Sequence, residues 1–152
     1  AKGLGSGVPV GAIVVGPKAQ NVLGPGNHGT TFGGNPLAMR AGIETLEIMI
    51  ADGLMDNAAR VGAHLKESLQ RDLAGLPGYK EIRGQGLMLG IELDRPCGVI
   101  LSRAMEAGLL LSVTADSVIR LVPPLILSVA EADEIVGLLV PLIKTFLSEA
   151  AA

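Results

Sequence analysis

The sequence predicts an α/β fold: a small α/β domain with a short sheet, preceded by a helical connector and a glycine-rich leading stretch. Three observations predict it. Apolar residues recur at helical spacing through residues 36–74, then alternate over LMLGIEL, with Leu87, Leu89, Ile91 and Leu93 on one side. From about residue 79 onward, short strand-like and helix-like runs interchange. Strong breakers, Gly53 and the Gly75-Leu-Pro-Gly78 stretch, punctuate the chain between them.

Taken in order, residues 1–34 are loop-like around one short apolar run, AIVV (12–15), expected as a strand. A helix follows in NPLAMRAGIETLEIMIADG, where Asn35 can cap, Pro36 suits the first turn and Gly53 can stop it. Met39, Ile43, Leu46 and Ile50 form its expected apolar stripe, with Arg40, Glu44 and Glu47 on the wet side. A second helix is expected over about 54–74, burying Ala58, Val61, Leu65, Leu69 and Leu73. After the LMLGIEL strand, a short helix near 97–107 ends at Gly108, and LLLSV and VIRLV supply two further strands. Ser128-x-x-Glu131 is a capping box for the last helix, with Ile135, Leu139, Leu142 and Phe146 as its stripe. Pro141 inside that helix is expected to kink it, at about 3 kcal/mol unless the surroundings accommodate it. The expected pattern from residue 79 is therefore β-α-β-β-α, and the chain falls into stretches 1–34, 35–78 (the connector) and 79–152.

Composition narrows the function. Of 152 residues, 49% are hydrophobic and 18% charged, enough for a core and greasy for a lone soluble domain, so some apolar surface is expected to belong against a partner. A net charge of −3 without a basic block argues against nucleic acid and anionic membranes. Two Phe, one Tyr and no Trp leave no stacking platform for single strands. The single cysteine, Cys97, excludes an intrachain disulfide and suits a reducing cytoplasm. The greasy IVGLLVPLIKTFL run is too short to span a membrane. The absence of an initiating Met, with Lys2 almost at the start, raises the expectation of a chain cut from something larger.

Neither GLGSGVPVG nor GQGLMLG has dinucleotide-binding spacing, and no phosphate-binding G-x-x-x-x-G-K-[ST] exists. His28, His64 and Cys97 lack ligand spacing, so no metal site is expected; His64 is expected to be solvated, and Cys97 has no base beside it. Three features remain. Lys2 lies among Gly3, Gly5 and Gly7; an amine buried beside a carbonyl cofactor can form a Schiff base, whereas on position alone Lys2 is an exposed terminal residue. In GNHGTTFGGNP (26–36), Thr30 and Thr31 precede a helix N-terminus, which suits a phosphate or carboxylate cradle or simply a polar surface loop. Arg120 alternates with Ile119 and Leu121 in a strand; its partner is a ligand carboxylate or a structural carboxylate, equally.

AKGLGSGVPVGA, GNHGTTFGGNPLA, IRGQGLMLGIEL and VIRLVPPL together closely resemble the class III (ornithine-type) aminotransferases of pyridoxal phosphate fold type I. The resemblance runs over essentially the whole chain but matches only the C-terminal part of such an enzyme. It implies that the sheet is mostly antiparallel and that residues 1–34 are the tail end of the large cofactor domain. By resemblance, Lys2 is the catalytic lysine that carries pyridoxal 5'-phosphate. Thr31 contacts the cofactor phosphate of the neighbouring subunit of a homodimer with a shared site, and Thr30, where the family often has Ser, lies by the substrate. Arg120 matches the arginine for the α-carboxylate of an amino or oxo acid, and Gly84 and Gly86 have backbone roles. The expected reaction moves the δ-amino group of N2-acetylornithine to 2-oxoglutarate, in arginine biosynthesis, with ornithine, succinylornithine and 4-aminobutyrate as alternative donors. The family's phosphate loop, ring-stacking aromatic, ring-nitrogen aspartate and distal arginine lie upstream and are not found here. The chain alone is therefore expected to be inactive; a noncatalytic dimerisation module is the rival.

Overall fold

The chain divides into two compact units, Ala1–Gly53 and Leu54–Ala152. The computed structural model describes residues 1–149. Residues 35–78, one connector by sequence, contribute a helix to each unit.

The first unit opens with a 3-10 turn, Lys2–Gly5, continues through turns and irregular backbone, and ends in helix α1 (Pro36–Ala51). Asn35 caps α1 as expected: its side chain accepts from the Ala38 N–H at 3.0 Å, Pro36 occupies the first turn, and Gly53, at φ 62°, closes the far end. The expected apolar stripe lies otherwise. Met39, Ile43, Leu46 and Ile50 are exposed, and only Ala38 and Gly42 of α1 are buried. The AIVV run is not a strand, and its residues are exposed. A strand needs a neighbour for its N–H and C=O groups, and all four strands of the described residues belong to the second unit.

The second unit contains α2 (Leu54–Leu73), β1 (Tyr79–Gln85), β2 (Met88–Leu93), α3 (Val99–Glu106), β3 (Ser112–Thr114), β4 (Val118–Leu121) and α4 (Val129–Ser148). The sheet order is β1-β2-β4-β3, antiparallel throughout, so the α/β expectation holds. Strand β1 was not expected. Only Ile82 of it is buried, and its alternation is masked by Lys80, Glu81 and Arg83. It joins β2 through the two residues Gly86 and Leu87, and Gly86 has the positive φ (54°) that such a hairpin favours at its first position.

One face of the sheet carries the core. Val61, Leu65, Leu69 and Leu73 from α2 meet Leu89, Ile91 and Ile119 from the strands and Leu139 and Ile143 from α4. Gly62 permits the close approach of α2 to the hairpin: a Cβ there would lie 2.8 Å from the Gly86 Cα and overlap that residue's carbonyl. The Ser128–Glu131 capping box closes the start of α4. The helix runs on through Pro141; the Gly137 carbonyl four residues earlier loses its donor, but both residues are exposed, so water can replace it. Of its expected stripe Leu139 and Phe146 are buried and Ile135 and Leu142 half-buried, and Ala132, Val136, Val140 and Ile143 complete the buried face. At its other end Arg95 donates to the carbonyls of Phe146 (2.8 Å) and Glu149 (2.9 Å), with its guanidinium 4.8 Å from the Phe146 ring centre.

Candidate active site

Lys2 stands in the 3-10 turn at φ 60°, a left-handed conformation that costs a non-glycine residue about 1–2 kcal/mol. The turn is held by Ser6 N–H donating to the Gly3 carbonyl at 3.1 Å and Val8 N–H to Gly5 at 3.0 Å. It is also bound to α1. Thr45 Oγ1 uses its hydrogen on the Ala41 carbonyl (2.8 Å), so across the 3.2 Å Ser6–Thr45 contact the Ser6 hydroxyl donates. Gly5 is buried against Val10, where a Cβ would come within 2.7 Å of a methyl carbon. The Lys2 side chain is exposed and pairs with no carboxylate among the described residues, and positions 3 and 7 have open space beside them.

The two threonines differ. Thr30 Oγ1 accepts from Gly33 N–H at 2.7 Å and closes its own loop, in a space that a side chain at position 33 would occupy. Thr31 is exposed, and no hydrogen bond engages its hydroxyl among the described residues. A concavity of about 830 Å³ is lined by Ala1, Val10, Phe32 and Asn35, neighbours of Lys2 and Thr31 rather than those residues themselves. The first unit thus sets an amine and a free hydroxyl near one hollow without joining them.

Arg120 belongs to the second unit. It lies on the sheet face opposite the core, in a register row that crosses all four strands: Arg83, Gly90, Arg120, Ser112. A cavity of about 390 Å³ lies over this face, lined by Arg83, Met88, Gly90, Thr114, Val118 and Arg120, among others. The two arginines are in different electrostatic states. Arg83 donates to Glu81 and Glu92 at 2.5 Å each, and its hydrogen bond holds the Glu92 carboxyl below the ordinary carboxylate range. Arg120 has no carboxylate partner among the described residues; its Nε–H donates to Ser112 Oγ at 3.1 Å.

His64 is not merely solvated: its Nε2 lies 2.6 Å from Asp133 Oδ1, linking α2 to α4. Cys97 is fully buried, and burial pushes its thiol up, which suits a packing role. No cluster of metal-ligating side chains occurs among the described residues, and none of their helices is long and apolar enough to cross a membrane.

Residues 1–143 match the family model for aminotransferase class-III. The chain belongs to the class-III aminotransferases. It is 59% identical over 98% of its length to acetylornithine aminotransferase 1 of Bordetella bronchiseptica, covering 38% of that protein. It is 47% identical over 90% of its length to the acetylornithine aminotransferase of Bacillus subtilis, covering 35% of it. Among solved structures, an ornithine delta-aminotransferase of Plasmodium falciparum superposes with a TM-score of 0.79 at 35% identity, over 84% of this chain and 33% of that one. The chain therefore spans little more than a third of the length of the relatives it matches.

The residues present fit the pyridoxal phosphate that this family implies. An exposed primary amine in open backbone suits its aldehyde, and an unengaged threonine hydroxyl suits its phosphate. Sequence reasoning missed Ser112 beside Arg120 and Gly62 beneath the hairpin. The register that pairs the first and the helix–turn contact that requires the second arise only on folding.

Proposed function

We propose that this chain is the C-terminal part of a pyridoxal-phosphate aminotransferase that moves the δ-amino group of N2-acetylornithine to 2-oxoglutarate. It acts within a cytoplasmic homodimer in arginine biosynthesis. The observation that carries this reading is the 59% identity, over 98% of the chain, to a protein named acetylornithine aminotransferase. When bound, the cofactor supplies the aldehyde that receives the amino group and the electron sink that acidifies the neighbouring C–H. Lys2 Nζ is the residue that holds the cofactor. As a free amine it would take the proton from the carbon bearing the substrate amino group and give one back. The Thr31 hydroxyl donates to the phosphate bound in the neighbouring subunit, and Thr30 lines the substrate side while closing its loop. Arg120 grips a substrate carboxylate in two parallel charge-assisted hydrogen bonds, which its lack of a carboxylate partner among the described residues supports.

A second reading takes ornithine as the donor, because an ornithine aminotransferase of Plasmodium falciparum shares this fold at 35% identity. The test is a donor panel with the complete enzyme and 2-oxoglutarate. We expect kcat/KM for N2-acetylornithine to exceed that for ornithine by about tenfold or more. The reverse order establishes the second reading, and full turnover by a Lys2→Ala enzyme overturns both. The 152-residue chain is expected to show no transamination alone.

A further inference from the structure

We propose that Ser112 is a positioning residue for carboxylate recognition: its hydroxyl takes the Nε edge of Arg120 and leaves the Nη1–Nη2 edge to the substrate. This rests on the reading of Arg120 as the carboxylate-binding group.

The geometry begins with register. Ser112 on β3 stands directly across from Arg120 on β4, and Gly90 on β2 stands across from Arg120 on the other side. Directly opposed residues on one face have Cβ atoms close enough for their side chains to meet. Here they do, at 3.1 Å from Nε to Oγ. On the Gly90 side no side chain competes, and a Cβ there would press to 3.2 Å from a Val118 methyl carbon. The arginine therefore has a hydroxyl on one flank and a residue without a side chain on the other.

A guanidinium offers carboxylates two bidentate edges, one through Nε and one through the two terminal nitrogens. With Nε already donating to Ser112, the terminal edge is the one left with both its donors aligned. An unheld arginine on an exposed sheet face must surrender rotamer freedom when it binds, and a held one has surrendered much of it beforehand. Arg83, beyond Gly90 in the row, is the weaker candidate, because Glu81 and Glu92 both pair with its Nη1 and offset its charge. The hydroxyl touches no bond that breaks, so it acts on binding and not on proton transfer.

The experiment is steady-state kinetics of the complete aminotransferase with Ser112→Ala, Ser112→Thr, Arg120→Ala and the Ser112→Ala/Arg120→Ala double variant, with melting temperatures alongside. Loss of a hydrogen bond that orients a charged group is expected to raise KM for 2-oxoglutarate about tenfold in Ser112→Ala. The kcat should stay within about twofold, the signature of lost binding rather than lost chemistry. Ser112→Thr keeps the hydroxyl and should restore KM. In the Arg120→Ala background, removing Ser112 should change nothing further, since its partner is gone. An unchanged KM in Ser112→Ala beside a raised KM in Arg120→Ala overturns the positioning role and leaves Arg120 standing. A threonine variant as impaired as alanine, or an equal Ser112 effect in both backgrounds, also overturns it. An unchanged KM in Arg120→Ala overturns the carboxylate reading itself.

Discussion

The two units of the chain solve opposite problems. The second, from Leu54 onward, closes a core in which Val61, Leu65, Leu69, Leu73, Ile91 and Ile143 are fully buried. The first presents the lysine turn and the threonine loop, yet its one long helix buries only Ala38 and Gly42 and leaves Ile43 half exposed, at 50%, and Ile50 at 70%. Both helices are amphipathic in sequence. The difference teaches that periodicity reports which face of a helix is apolar and says nothing about whether the same chain covers it. Stability resides in the second unit, while the first carries reactive groups on backbone tied by a few specific contacts.

The largest test of that division is a pair of truncations. Leu69→Ala should destabilise the chain by about 2–5 kcal/mol, read from the urea midpoint, whereas Ile43→Ala should stay within about 0.5 kcal/mol. Equal losses would break the comparison. Gly62→Ala comes next. The new methyl meets Gly86 backbone, which cannot yield as a side chain can, so a loss of about 1–3 kcal/mol is expected despite alanine's better helix propensity.

Smaller effects sharpen the picture inside the second unit. Ser128→Ala should remove about 1 kcal/mol by opening the α4 cap. The same cap predicts a pH dependence. Hydrogen bonds from the Ser128 backbone N–H and hydroxyl hold the Glu131 carboxyl below its ordinary value of 4.5. Its contribution is complete above that ordinary value and disappears as pH falls through the lower folded one. Denaturation midpoints from pH 7 downward should fall in the acid range, and less steeply in Glu131→Gln. The smallest effect is a gain. Ala115, in the turn joining β3 to β4, sits at φ 46°, and Ala115→Gly should stabilise by about 0.5–1 kcal/mol in thermal melts.

Local rules recovered much of this fold. The Asn35 cap, the Gly53 stop, the α2 stripe and the Ser128–Glu131 box each depend on residues within a turn or two, so spacing alone reveals them. Strand β1 escaped because its charges are satisfied across the sheet, with Arg83 and Lys80 both reaching Glu92, and such pairing is long-range. The AIVV run misled for the opposite reason: strand-forming residues do not make a strand without a neighbour. Of the candidate site, the outward placement of Arg120 was legible from strand alternation. Its hydrogen bond to Ser112, eight positions earlier in the chain, was not, because the chain must first turn back in the right register. His64 was misjudged likewise, its partner Asp133 being on another helix.

Strand β4 has a neighbour on each side, β2 and β3, so its backbone amides are committed to ladders on both edges. Such amides exchange with solvent only when the whole sheet opens, on the slowest timescale the unit possesses. The Cα of Arg120 is therefore anchored to the global unfolding event and is indifferent to the breathing of nearby loops. If Arg120 holds an anion as proposed, that anion meets a rigid gauge, and selectivity there should persist unchanged in warming or mild denaturant until the unit unfolds as a whole.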